Sequence, residues 1–290
     1  MRIQHNIIAM NSYRQYGINN SALGKNLEKL SSGYKINRAG DDAAGLAVSE
    51  KMRAQISAIE GAQKNTKDGI SFIQTAEGAL QEVNDMLNRM YYLAEQSANG
   101  IYESVDRNNL DMEVQQLKEE INRIGTSANF NGMKLFTGSS HIFGGNFQFA
   151  IDDIGNNKSG FLKLTFADVK VGTLTGSNLS KLSAGAIGIG SDNIKTTSAA
   201  TTAMGNIKDA INFVSAFRGK LGAYQNRLEH TYNNLGVMRE NMQDAESTIR
   251  DTDVAEEMMK FTKNSILNQS SQAMLAQANQ VPQGVLQLLQ

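Results

Sequence analysis

The chain contains no cysteine and no tryptophan, and only one proline in 290 residues. Without thiols it holds no disulfide, no thiolate metal ligand and no cysteine nucleophile. The single proline, Pro282, leaves nearly every backbone N–H free to serve a helix, so long uninterrupted helices are expected. Aromatic residues make up 7% of the chain, so packing must rest on Leu, Ile, Val, Ala and 13 methionines. A charge excess is missing too. The formal net charge is −1, which gives nucleic acid or an anionic membrane no global attraction. No apolar run approaches the roughly 18 residues of a membrane-spanning helix. The start MRIQHNIIAMNSYRQYG has neither an apolar h-region nor a small-residue cleavage site, so no cleavable secretory signal is read there.

Charge is absent altogether from Asn264 to Gln290. That glutamine-rich tail is nevertheless patterned. Leu267, Ser271, Met274, Ala278, Val281, Val285 and Leu288 alternate spacings of four and three, the a and d positions of a coiled coil. A neutral tail with an apolar stripe suits burial on several sides. The chain's own N-terminus covers one of them, and neighbouring copies are expected to cover the rest.

Three zones follow along the chain. Residues 1–137 read as helices. Ile3, Ile7 and Met10 begin a seam, and Tyr16, Leu23, Leu27 and Leu30 resume it in shifted register, as a stutter does. Gly33 and Gly40 bracket a break. Leu80, Val83, Leu87, Met90 and Ala94 form a second seam, ended by Asn99 and Gly100, and Leu110, Val114, Leu117, Ile121 and Ile124 a third. NFNGMKLF at 129–136 reads as a turn into extended chain. In the second zone, 138–203, FQFAI and FLKLTF alternate around a turn-rich stretch, which is a hairpin signature. SAGAIGIGSDNIKTTSAATTA reads as surface loop or short strands. The third zone, 204–290, returns to helix, with Leu221, Tyr224, Leu228, Thr231, Leu235, Met238, Met242, Ala245 and Ile249 at heptad spacing.

Catalytic chemistry is hard to find. The histidines, His5, His141 and His230, are far apart in sequence, and none lies in an H-E-x-x-H motif. Asp41–Asp42 and Asp152–Asp153 are adjacent pairs, and adjacent residues do not face one another on regular elements. No enzyme activity, metal or cofactor is expected. Asp41 and Asp42, just before AAGLAV, read first as helix-capping groups.

Both ends of the chain resemble one family. INRAGDDAAGLAVSEKMRAQI (36–56) is similar to the N-terminal signature of bacterial flagellins, and the segment from STIRDTDVAEEMM to the end AQANQVPQGVLQLLQ (247–290) to their C-terminal signature. LNRMYYLAEQSANG and FNGMKLF match as well. The resemblance implies a mainly α protein. Long coiled-coil helices from both termini pack as a helical rod or bundle, with a small central β-hairpin region at its distal end. It implies a terminal domain, 1–44 with 254–290, lining a filament channel; a rod domain, 45–137 with 204–253; and a short variable region, 138–203.

The same resemblance implies a structural subunit that self-assembles into the flagellar filament for motility. Such a subunit is exported unfolded by the flagellar type III apparatus and resides in the extracellular flagellum. The implied partners are further copies of the chain, an export chaperone, and the filament cap and hook–filament junction proteins, with no nucleic acid and no membrane. The assembly seam would be Leu267, Met274, Ala278, Val281, Val285 and Leu288. Arg38, Asp41 and Asp42 would add polar contacts between domains or subunits. Carried over position by position, Arg89, Leu93 and Glu113 match the face recognised by the vertebrate Toll-like receptor that senses flagellin. This sequence departs at Tyr91 and Tyr92, where receptor-active members carry Arg and Glu, and at Glu95, usually apolar. A hook–filament junction protein and a non-flagellar coiled-coil scaffold are the alternatives.

Overall fold

A computed structural model describes residues 6–136, 147–150, 161–164, 170–171, 174–175, 184–185, 187–190 and 192–288, with backbone alone for 147–175 and 281–288. Five helices account for most of these residues: α1 (Ile7–Ser32), α2 (Ala43–Ala98), α3 (Ser104–Ser127), α4 (Thr197–Arg250) and α5 (Val254–Leu288). Between α3 and α4 lie β1 (Asn129–Phe130), β2 (Met133–Lys134), β3 (Phe147–Ala150), β4 (Phe161–Leu164), β5 (Lys170–Val171) and β6 (Leu174–Thr175). The strands pair antiparallel as β1–β2, β3–β4 and β5–β6. The mainly helical fold with a small hairpin region is the one the sequence implies.

Local chemistry explains the boundaries. Asn6 starts α1 by accepting the Ala9 N–H on Oδ1 at 3.0 Å. Gly33 ends it with φ 75°, a left-handed cap whose N–H donates to the Lys29 carbonyl. Asn131 and Gly132, at φ 51° and 80°, make the two-residue turn between β1 and β2, the pair that such hairpins favour. The turn into extended chain read at 129–136 is thus present, and the extended segment pairs back on β1 as a hairpin. In β3–β4, Phe147 faces Leu164 and Ala150 faces Phe161, so the hairpin read from FQFAI and FLKLTF forms.

The chain divides into two compact units, residues 1–56 with 240–290 and residues 57–239. The two helix breaks, 33–42 and 251–253, both fall inside the first unit. The second unit holds a main apolar core built from α2, α3 and α4, in which Leu80, Val83, Leu87, Met90, Ile121, Phe213 and Phe217 are fully buried. Phe72 meets Phe130 edge-on at 5.7 Å, which ties the β1–β2 hairpin to α2. Each such aliphatic side chain contributes about 1.5–3 kcal/mol by leaving water.

The expectation of surface loop for 183–203 is corrected here. Ile187, Ile189 and Ile194 are fully buried in that core, and α4 begins at Thr197. The segment is held through its backbone. Ser97 Oγ donates to the Ile194 carbonyl and Lys118 Nζ to that of Asp192. The Ile194 N–H donates to Asp111 Oδ1 at 3.0 Å, and the Ala184 N–H to Asn122 Oδ1 at 2.8 Å. Burial pushes the Lys118 ammonium pKa down, against the pull of Asp192 and Asp111. Gly190 is required by close approach, since a Cβ there would lie 2.7 Å from Gly185 Cα.

Candidate functional site

In the first unit α1 packs against α5, and the chain direction reverses between them. Asn6 Nδ2 donates to the Ala278 carbonyl at 2.8 Å, and Asn19 Nδ2 to Ser271 Oγ at 2.8 Å. The covered positions are heptad-spaced: Ala9, Ser12, Tyr16, Asn19, Leu23, Asn26 and Leu30 on α1. On α5 they are Phe261, Asn264, Asn268, Ser271, Leu275 and Ala278. Small and amide side chains dominate this seam. They gain little from leaving water, and Asn19 to Ser271 is the side-chain hydrogen bond between them among the described residues.

Many of the pair's large apolar side chains lie outside it. Ile7, Ile8, Met10, Tyr13, Ile18 and Leu27 of α1 are exposed, as are Met259 and Ile266 of α5. Of the proposed assembly seam, Ala278 is buried under α1, whereas Leu267 is 40% and Met274 58% exposed. The surroundings of Val281, Val285 and Leu288 lie outside the described residues. A helix pair that turns Asn and Ser inward and Met, Ile and Leu outward is built to be covered again.

Pro282 adds a detail. It has no N–H, so the Ala278 carbonyl four residues earlier lacks its usual helical donor. The Asn6 side chain supplies one. A single amide therefore caps α1 through Oδ1 and closes the proline gap in α5 through Nδ2.

The break at 33–42 gathers Arg38, Asp41 and Asp42. Asp41 Oδ2 accepts the N–H groups of Asn37 and Arg38 at 3.2 and 3.1 Å. Those bonds, Arg38's first, hold its carboxyl below the usual range, helped by Lys29 and Lys25. Asp42 Oδ1 caps α2 through the Ala44 and Gly45 N–H groups, at 3.1 and 3.0 Å. A side chain at Gly45 would strike Asp42 and the buried Ile36. Arg38 Nε donates to Glu28 Oε1 at 3.0 Å.

Arg250, at the end of α4, was not singled out from the sequence. It lies 4.9 Å from the Tyr34 ring and reaches Glu50 at 2.8 Å and Ser49 at 3.3 Å. The Arg250 bond is the main cause of a lowered Glu50 pKa. The signal was available, because Arg250 sits inside the quoted STIRDTD motif.

On α2 and α3, Arg89 Nη2 lies 2.7 Å from Glu113 Oε1, with both side chains about half exposed. The Glu113 hydrogen bond raises the Arg89 pKa, and the guanidinium sits 5.6 Å from the Tyr92 ring. Leu93 is 1% exposed and belongs to the core. Of the three residues assigned to the receptor face, Arg89 and Glu113 present side chains to solvent and Leu93 does not. Its place in the α2 heptad turns it inward, beside Met90 and Ala94. His5 and His141 lie outside the described residues. Among those described, no three His, Asp or Glu side chains are grouped to hold a metal, and no helix is long and apolar enough to cross a membrane.

Fold and surface together define a helical structural protein whose terminal pair keeps an apolar face outward. Comparison with known proteins makes the class specific. Residues 3–141 match the bacterial flagellin N-terminal helical region, and residues 204–289 the C-terminal helical region. The chain is 49% identical over 289 residues to a flagellin of Halalkalibacterium halodurans, and 47% over 293 residues to the flagellar filament 30.7 kDa core protein of Treponema maltophilum. Each alignment covers all of both chains. A candidate flagellar hook-associated protein from Vibrio parahaemolyticus shares the fold, with TM-score 0.57 and 14% identity over 73% of this chain and all of that one. The chain belongs to the bacterial flagellin family.

Proposed function

We infer that this chain is a structural subunit of the bacterial flagellar filament and joins it by self-assembly. One observation carries the reading: the apolar stripes of α1 and α5 lie outside the intramolecular seam, where further copies can cover them. Leu267, Met274, Val281, Val285 and Leu288 then form the assembly seam, with Ala278 already covered by α1, and the segments 1–44 and 254–290 line the filament channel. The rod segments 45–137 and 204–253 carry the variable region 138–203, whose Ile187, Ile189 and Ile194 belong to the rod's own core. Arg38, Asp41 and Asp42 order the break between the terminal and rod segments. The protein acts by assembly, not by catalysis.

The same reading places the mature protein outside the cell, after unfolded export through the flagellar type III apparatus. A chaperone covers the apolar tail before export, and the cap and hook–filament junction proteins meet the polymer at its two ends. Arg89 and Glu113 are the accessible part of a surface for the flagellin-sensing Toll-like receptor. Arg89→Ala is expected to weaken binding of monomer to the receptor ectodomain about tenfold or more; equal dissociation constants would remove that role.

The filament reading is tested by seeding purified chain with sheared filament fragments and viewing the product by electron microscopy. Long uniform filaments are expected. Protein that stays monomeric at high concentration with intact helical structure would refute self-assembly.

A further inference from the structure

The two arms of the first unit differ in charge. Residues 1–56 carry eight Lys and Arg against four Asp and Glu, whereas 240–290 carry three against seven. The arms are +4 and −4 in a chain whose total is −1. Arms so charged are expected to neutralise each other by pairing, and they do not. Among the described residues the one arm-to-arm ion pair is Arg250–Glu50. It runs against the bias, taking its cation from the acidic arm. Arg38–Glu28 and Lys260–Glu256 stay within their own arms.

Three lysines of the basic arm line one groove, and the acidic surplus collects in another. Lys25, Lys29 and Lys35 line the first, together with Asp41 and Asp42. Both aspartates are engaged with backbone N–H groups around the start of α2. The three ammoniums form no ion pair among the described residues. Glu240, Asp244, Glu246 and Asp251 line the second groove, beside Tyr34 and without a cation. Tyr34 is bridged to Asp251, and Lys35 follows it in the chain. Tyr34 lines the acidic groove and Lys35 the basic one. The two grooves share no lining residue, and among the described residues no ion pair joins them within one copy. No three of the described carboxylates are grouped to hold a metal, so the acidic groove suits a row of ammoniums rather than a single ion.

We propose that the Lys25–Lys29–Lys35 groove of one copy docks on the Glu240–Asp244–Glu246 groove of the next. The proposal rests on the filament reading and deepens it by naming a surface that sets subunit polarity. A contact between two different faces repeats head to tail and produces an open helical polymer. Exposed ion pairs are individually weak, but several in register exclude wrong orientations and steer approach.

The test uses full-length chain, seeded, with the critical concentration read by sedimentation. Lys25→Glu/Lys29→Glu/Lys35→Glu and Glu240→Lys/Asp244→Lys/Glu246→Lys are each expected to raise it about tenfold or more, with wild-type circular dichroism. Each variant presents two faces of like charge. An equimolar mixture lets unlike faces meet between copies, and its critical concentration should return to within about threefold of wild type. Should a triple variant lose its helical signal, Lys29→Glu and Asp244→Lys replace it, each with about a threefold effect. Wild-type behaviour of either folded variant overturns the proposal and leaves the filament reading intact, as does a mixture no better than its components. Wild-type chain that never polymerises refutes the filament reading, and the docking with it.

Discussion

The core of residues 57–239 and the α1–α5 pair use the same heptad spacing in opposite ways. In the core the apolar positions face inward, and Leu80, Leu87, Phe217 and Leu221 are fully buried within one copy. In the α1–α5 pair Ala, Ser and Asn fill most inward positions beside a few Leu and aromatic residues, and many apolar side chains face out. The core is finished by a single chain, whereas the terminal pair leaves large apolar side chains exposed in one copy. A heptad therefore reveals that a helix has a partner without revealing whose helix it is.

Mutations should separate the two regions. Phe217→Ala is expected to have the largest effect, destabilising the monomer by about 3–5 kcal/mol through a core cavity, as read by denaturant unfolding. Met274→Asp should leave monomer unfolding unchanged, because the side chain is already in water. It should stop seeded polymerisation, since a carboxylate buried without a partner costs about 2 kcal/mol or more per copy. Normal filaments from that variant would dissolve the contrast drawn here. Asn6→Ala removes a cap and the donor to Ala278, at about 1 kcal/mol, and should speed hydrogen exchange in α1 and α5 while sparing α2 and α3.

The smallest effect concerns acid. Asp41 ordinarily titrates near 3.8 and is lowered in the fold. Its contribution is present above about pH 4 and is lost as pH falls through the folded value. Asp41→Asn should flatten only that acid limb, and only for probes in the first unit. An unchanged slope below pH 4 would show that the break at 33–42 is not held by this carboxylate.

Much of the fold was legible. Gly33, Asn99–Gly100 and the aspartates before AAGLAV mark helix ends because caps follow local rules. The β3–β4 hairpin is legible because strand alternation is local too. What was not legible depends on competition between faces. The seam traced through Ile7, Met10 and Leu27 is exposed, and Tyr16, Leu23 and Leu30 share the covered face with Ser12, Asn19 and Asn26. The alternation of Ile187 and Ile189 was a strand-like burial signal hidden by Gly and Ser around it. Leu93 carried a family match to a surface role, yet its own α2 spacing places it in the core.

The amide of Asn6 has one more consequence. Sliding α1 by a heptad along α5 would still set Asn and Ser opposite Asn and Ser, so most of the seam is tolerant of miscounting. The carbonyl exposed by Pro282 occurs at one place only, near the extremity of the paired helices. If pairing starts beside the break at 33–42 and runs outward, the final turn checks the tally of all the earlier ones. A chain closed out of step ends with an unmet carbonyl and an uncapped helix, an error flag raised at the last possible moment.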